Sequence, residues 1–524
     1  MTLPLLVRLA LAAPGGPRLH DLLLGLGIAV FLAALPALAR FRGWTRASYY
    51  LLLNLVTTAS LAHLALTGEL PSLGAIIVAL RTSTQEASGL VFSAWRAMAL
   101  LLVCVAAWLA GCVSFARRSP ALVVEHPVLR AALAAPALLA VFAPNAGAAY
   151  PMSLARIAAG LTDYSTMARR PQRLLVDPYE VSRKESTHDL VVLVVGESSS
   201  ADHWQIDGYG RPTSPHMLAR QKAGELVNFR AHMSTSGMTA FAVPAILSPF
   251  AEMKGAGAPP QRRSVVTLMA RAGFRTGFFS RNDVVAASTE ADESLHSSDD
   301  RAVEMDAWTL MDSWLVAAMG QWLDQTDAAP AFVVLHGWGS HLPFESRYPE
   351  AFERWGHYAA GDYPKNQTVG NYDNSILYTD AVLEEVIERL EREKRRALLL
   401  YVADHGETYV DDKRLRYAAP RDARLLNVPF MVWANASWRS AHREQWNALR
   451  RFADSGRPTS HLNVVPTLAG LLGIRYQGCP ESRDILSARF APWETTPALD
   501  TDDRTIVQAQ PPRRPPLPDS ENPG

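Results

Sequence analysis

Hydrophobic and polar positions are unevenly distributed along this 524-residue chain. Residues 22–39, 47–68, 97–116 and 131–150 contain no charged side chain and are rich in Leu, Ala and Val. Each stretch is about as long as a helix that crosses a bilayer. Beyond residue 185 the pattern changes. Short apolar runs at Leu190–Val195, Ala331–Leu335, Leu398–Val402 and Val428–Trp433 alternate with helical periodicity. An example is Val382, Leu383, Val386, Ile387 and Leu390, which share one helix face. Continuous apolar runs of this length suit strands buried on both faces. Their alternation with helices predicts an α/β domain built on a mostly parallel sheet. The pattern divides the chain into a helical transmembrane domain over 1–150, an amphipathic linker over 151–185, an α/β domain over 186–495, and a disordered Pro-rich tail over 496–524. In the linker, Leu154, Ile157, Ala158, Leu161 and Tyr164 recur at helical spacing beside Arg156, Arg169 and Arg170. That suits either a helix lying on the membrane surface or a linker packed on the following domain.

Charge sharpens this division. The chain has 51 Lys+Arg and 51 Asp+Glu, a balance that argues against nucleic-acid binding. Residues 1–150 nevertheless hold ten Arg, no Lys and four acids, so the remainder is net acidic. Arg40, Arg42 and Arg46 lie between the first two apolar stretches, and Arg117, Arg118 and Arg130 between the last two. The positive-inside rule places both loops in the cytoplasm, and residues 67–96 and everything after 150 outside. Residues 3–13 are apolar enough to add a fifth span to the four. Three cysteines, two of them in an apolar stretch, supply no disulfide framework.

Ligands in such sheets bind just beyond the carboxyl ends of the strands. Three of the apolar runs end in polar groups there: Gly196-Glu197-Ser198, His336, and Asp404-His405-Gly406-Glu407. Glu197, Asp404 and His405 form an oxygen and nitrogen donor set suited to Zn²⁺, with His336 and His341 following a third strand. Equally, each acid alone suits a helix or turn cap. Thr239, in Ser234-Thr-Ser-Gly-Met-Thr239-Ala-Phe-Ala-Val-Pro244, precedes an apolar helical stretch. It reads either as an N-cap or as a nucleophile beside a metal, with helix N–H groups cradling a phosphate.

The ordered segments VVLVVGESS, GYGRPTSP, SGMTAFAVP, LHGWGSH, YDNSILYTD, ADHGE and SHLNVVPTLAGLLG resemble the membrane-bound phosphoethanolamine transferases of the alkaline-phosphatase/sulfatase superfamily. The resemblance covers most of residues 188–475. It implies transfer of phosphoethanolamine from phosphatidylethanolamine to lipopolysaccharide (lipid A or core) or another envelope glycan. The setting it implies is the bacterial inner membrane, with the catalytic domain in the periplasm. Thr239 matches the nucleophile, which also touches zinc. Glu197, Asp404 and His405 match the other ligands of one Zn²⁺. His336 and His341 match residues that hold substrate or a second zinc, and Thr82 and Glu86 match donor-lipid contacts. A lone Glu86 equally suits a solvated loop. The alternative is a hydrolase of the same superfamily or a phosphoglycerol transferase. A formylglycine-type sulfatase is disfavoured, since no Cys or Ser in a C/S-x-P-x-R context stands at the nucleophile.

The chain departs from the family pattern around its rim. Thr235 and Ala245 stand where many relatives have a cysteine pair, and Tyr417 where lipid A enzymes have a histidine. Val78 replaces an expected asparagine. SRNDVVAAS, around Asn282 and Asp283, replaces a Ser/Lys-rich acceptor segment. The core chemistry matches, while the substrate-facing rim differs.

Overall fold

The computed structural model describes residues 180–183, 189–250, 264–282, 286–296, 311–325, 329–356, 365–407, 423–499 and 506–509, with isolated positions between 35 and 128. The chain divides into two compact units, residues 1–166 with 414–418, and residues 167–413 with 419–524. Among the described residues no helix is long and apolar enough to cross a membrane. The four apolar stretches lie almost wholly outside those residues, as do Thr82 and Glu86.

The second unit is organised by a seven-stranded sheet. Its strands are β1 (Asp189–Gly196), β2 (Leu226–Asn228), β3 (Arg275–Ser280), β4 (Glu293–His296), β5 (Ala331–His336), β6 (Arg396–Ala403) and β7 (Phe430–Ala434). The spatial order is β2-β7-β6-β1-β5-β3-β4. Strands β6, β1, β5, β3 and β4 pair in parallel. The helices that matter here are α1 (Pro215–Lys222), α2 (Thr239–Ile246), α3 (Val265–Arg271), α4 (Ser313–Asp324), α5 (Lys365–Glu391), α6 (Arg443–Asp454) and α7 (His461–Leu471).

Alternation along β1 explains why its whole length is apolar. Val191, Leu193 and Val195 pack into a core with α2, α3, α6 and α7. Leu190, Val192 and Val194 face a second core that includes α1, α4 and α5. A strand covered on both faces has no polar side to show, hence the uninterrupted run. The predicted face of α5 is buried as well, with Leu383, Val386, Ile387 and Leu390 at 1% exposure or less.

One expectation is refined and two are corrected. The sheet is mostly parallel as expected but mixed, because β7, which overlaps the Val428–Trp433 run, pairs antiparallel with both β6 and β2. The chain re-enters the sheet at the end where β6 leaves it, and hydrophobic periodicity carries no strand direction. Residues 181–183, placed in the linker, form a strand paired antiparallel with Ile474–Tyr476. The tail is not wholly disordered, because Thr496–Leu499 pairs antiparallel with Ile506–Ala509. Ala498 is buried with Met233 and Leu426, an anchor that composition alone does not reveal.

Candidate active site

Register brings the predicted groups to one edge. Gly196 lies opposite Ala403, Val195 opposite His336, and Ser280 opposite His336. The residues that follow, Glu197, Asn282 and Asp404, therefore emerge side by side at the carboxyl ends of the parallel strands. The turn after β1 is tightly specified. Ser198 adopts a left-handed backbone (φ 52°), which costs energy for a residue with a Cβ. Three bonds hold it there. Its N–H donates to Asp404 Oδ1 at 3.0 Å, its hydroxyl donates to Glu197 Oε1 at 2.8 Å, and its carbonyl accepts from the Tyr372 hydroxyl at 2.8 Å. Tyr372 also accepts from the Ser200 N–H at 2.7 Å, so the YDNSILYTD segment supports the GESS turn. From the turn after β5, Gly339 (φ +44°) approaches so closely that an added Cβ would lie 2.7 Å from the Glu197 carbonyl oxygen.

Thr239 is the first residue of α2, and Met238 occupies the cap position without any side-chain cap. The N-cap reading of Thr239 thus fails. Instead its hydroxyl lies 3.2 and 3.1 Å from the two Glu197 oxygens and 3.3 Å from His405 Nε2. An uncapped first turn leaves backbone N–H groups free to meet phosphate oxygens. His405 Nε2 is 3.4 Å from Glu197 Oε1 and 3.5 Å from Asp404 Oδ2. Its Nδ1 pairs with the Gly406 carbonyl at 2.8 Å, which orients the ring with Nε2 toward the acids.

Glu197, Asp404 and His405 each offer a donor atom, all within 4.8 Å of one another. Glu197 and Asp404 are fully buried, and Asp404 Oδ2 has no hydrogen-bond partner. Burial tends to raise the Glu197 carboxyl, but the His405 and His341 imidazoles outweigh it and hold Glu197 low. Burial, followed by the neighbouring Glu197 charge, drives Asp404 well above the carboxylate range. His405 is opposed by burial yet raised by Asp404 and Glu197. Without a cation, the raised Asp404 and His405 tend to hold protons beside the ionised Glu197. A dication with oxygen and nitrogen ligands satisfies all of them, including the unpaired Asp404 oxygen, so the donor set fits zinc.

The structure brings Glu197, Thr239, Asp404 and His405 together. It places His336 and His341 alongside rather than within that cluster. His336 is fully buried, with Nδ1 3.2 Å from the Ser280 hydroxyl and Nε2 without a partner. Burial pulls it down to about 4, so it is neutral at pH 7. His341 Nδ1 is 2.7 Å from the Leu342 carbonyl. Besides Tyr372, two residues were not assigned to the site from sequence. Asn282, read only as part of the altered rim, donates from Nδ2 to Glu197 Oε2 at 2.7 Å. Asp312 accepts from the Trp338 and Gly339 N–H groups at 3.0 and 2.8 Å, holding the HGWGSH turn in place. Asp312 lies in no apolar run or recognised motif, so only the fold reveals its role.

Residues 189–474, more than half of the chain, match the family model described as Sulfatase. The chain belongs to the sulfatase family. Within it, the chain is similar to the Kdo(2)-lipid A phosphoethanolamine 7''-transferase of Escherichia coli (strain K12), 28% identical over 298 residues, covering 54% of this chain and 51% of that protein. It is also similar to phosphoethanolamine transferase EptA of Helicobacter pylori, 26% identical over 279 residues, covering 51% of this chain and 52% of that one. The chain spans about half the length of the curated relatives it matches. Among solved structures, the integral membrane lipooligosaccharide phosphoethanolamine transferase A of Neisseria meningitidis superposes with a TM-score of 0.71 at 20% identity, covering 92% of this chain and 94% of that one. The C-terminal periplasmic domain of EptC from Escherichia coli, in complex with Zn, gives 0.54 at 19% identity, covering 64% of this chain and 96% of that one. At these identities the superpositions establish a shared fold.

Proposed function

We propose that this sulfatase-family protein is a zinc-dependent phosphoethanolamine transferase of the bacterial inner membrane. Its catalytic domain faces the periplasm, the donor is phosphatidylethanolamine, and the acceptor is lipopolysaccharide (lipid A or core) or another envelope glycan. One observation carries this reading. The Thr239 hydroxyl stands at an uncapped helix N-terminus, 3.1–3.3 Å from Glu197 and His405, beside a three-donor cluster. The named relatives and the chain's own apolar first third supply the lipid context.

In this scheme Glu197, Asp404 and His405, with the Thr239 oxygen, hold Zn²⁺. When bound, the ion supplies a Lewis acid that lowers the pKa of the adjacent hydroxyl. Thr239 Oγ1 attacks the donor phosphorus. The Oγ1–P bond forms as the bond from phosphorus to the glycerol oxygen breaks, and the Thr239 proton ends on the departing diacylglycerol. N–H groups of the first turn of α2 receive the phosphoryl oxygens, with neutral His336 and with His341 on the phosphate side. An acceptor oxygen then attacks phosphorus and Thr239 leaves with a proton restored. Thr82 and Glu86, on the external loop, are assigned to the donor lipid. The acceptor is tested by mass spectrometry of envelope lipids and glycans from cells with and without this protein. A gain of one phosphoethanolamine on a defined species supports the proposal, and the same spectra from both cells would refute it in favour of a hydrolase.

A further inference from the structure

Asn282 has a place in the site that its sequence context does not announce. Its side-chain nitrogen donates to Glu197 Oε2 at 2.7 Å and lies 3.3 Å from the Gly337 carbonyl oxygen. Both partners are obligate acceptors, a carboxylate and a backbone carbonyl. The chemistry therefore fixes the amide with its NH₂ group toward them, whatever the ambiguity of amide orientation elsewhere. Asn282 is buried, and its backbone is clamped on both sides. The N–H donates to the Ser280 hydroxyl at 3.2 Å. The carbonyl accepts from that hydroxyl at 3.0 Å and pairs with His296 Nε2 at 2.5 Å. The same Ser280 hydroxyl is 3.2 Å from His336 Nδ1. A short, charge-assisted bond thus comes from a rigidly held donor.

The two Glu197 oxygens are consequently unlike. Oε2 accepts from Asn282, and Oε1 is the oxygen 3.4 Å from His405 Nε2, while the Thr239 hydroxyl lies 3.2 and 3.1 Å from Oε1 and Oε2. Ser198, whose hydroxyl meets Oε1, sits on the adjoining turn. We infer that Asn282 is a positioning residue for the metal carboxylate, pinning Oε2 so that the Glu197 carboxylate is held in the orientation presented to the cation shared with Asp404 and His405. This rests on the zinc reading of the site proposed above. Groups that orient a metal ligand through a hydrogen bond typically change metal affinity by about 10–100-fold when removed.

The test is zinc affinity of the full-length protein in detergent, measured by competition with a chromophoric chelator. Zinc itself is the probe, and four chains are compared: wild type, Asn282→Ala, Asn282→Gln and Glu197→Gln. The melting temperature of each metal-free chain reports folding. The expected result is an affinity about 10–100-fold weaker in Asn282→Ala. Asn282→Gln, which keeps a carboxamide donor, recovers part of that loss, and the metal-free melting temperatures stay close to wild type. Partial recovery by Gln is a signature that a merely space-filling role would not produce. Should Asn282→Ala fail to fold, Asn282→Gln carries the test alone, through an affinity between those of wild type and Glu197→Gln. Folded Asn282 variants with wild-type affinity, alongside a Glu197→Gln chain that has lost zinc, would overturn the inference and leave the site reading intact. Glu197→Gln with undiminished affinity would overturn both.

Discussion

At the scale of residues, the site is a problem of charge. Two buried carboxyls and an imidazole meet within 4.8 Å, with Glu197 held low and Asp404 and His405 held high. Groups raised in the metal-free protein carry protons that a metal ligand cannot keep, so zinc binding must expel them. Zinc affinity is therefore expected to rise with pH through the neutral range and to fall toward pH 6. Calorimetry in two buffers of different ionisation enthalpy should detect about one proton or more released per zinc at pH 7. Binding without proton release would contradict the arrangement. A second prediction concerns Tyr372, whose hydroxyl bridges the Ser198 carbonyl and the Ser200 N–H inside the core. Tyr372→Phe leaves both unpaired and is expected to cost about 1–3 kcal/mol in denaturant unfolding. Of these residues, Glu197, Thr239, Asp404 and His405 were singled out in the sequence because each follows an apolar run or opens one, while the roles proposed for them rest on the family resemblance, since spacing alone left each open to capping. Asn282, Asp312 and Tyr372 were not assigned to the site, because their roles depend on hydrogen bonds between segments distant in the chain.

At the scale of elements, the site is a set of strand ends locked together by turns. Gly339 shows how little room there is. It combines φ +44° with a Cβ position 2.7 Å from the Glu197 carbonyl oxygen. Gly339→Ala is expected to destabilise the domain by about 1–3 kcal/mol from backbone strain alone. It should also weaken zinc binding, since the clash falls on Glu197, the proposed metal carboxylate. Unfolding and chelator competition on the same variant check both effects, and an unchanged zinc affinity would mean the turn does not set the carboxylate. Element type was readable from periodicity, because β1, β5 and β6 need apolar side chains on both faces. Strand direction was not. β7 has the same apolar character as its neighbours yet runs antiparallel, since direction is decided by where the connection returns.

At the scale of the whole molecule, two compact units correspond to a basic apolar third and a net acidic remainder. The second unit begins earlier than hydropathy indicates. Val181–Arg183 pairs with Ile474–Tyr476, and Arg183 bonds the buried Asp189 at 2.6 Å while lying over the Phe274 ring. Removing residues 1–188 is expected to lower the melting temperature of the sulfatase-family domain clearly below that of a chain cut at 180, as thermal unfolding of the two chains would show. Equal melting temperatures would make this strand an accessory.

The proposal's centre is the Thr239 hydroxyl, and one measurement addresses it most directly. The full-length protein, loaded with zinc and given phosphatidylethanolamine without acceptor, is digested and its peptides are analysed by mass spectrometry. The account predicts one phosphoethanolamine group on the peptide containing Thr239, with diacylglycerol released in step, and no adduct in Thr239→Ala. Release of diacylglycerol with an adduct on another residue, or with free phosphoethanolamine alone and no trapped adduct, would contradict it.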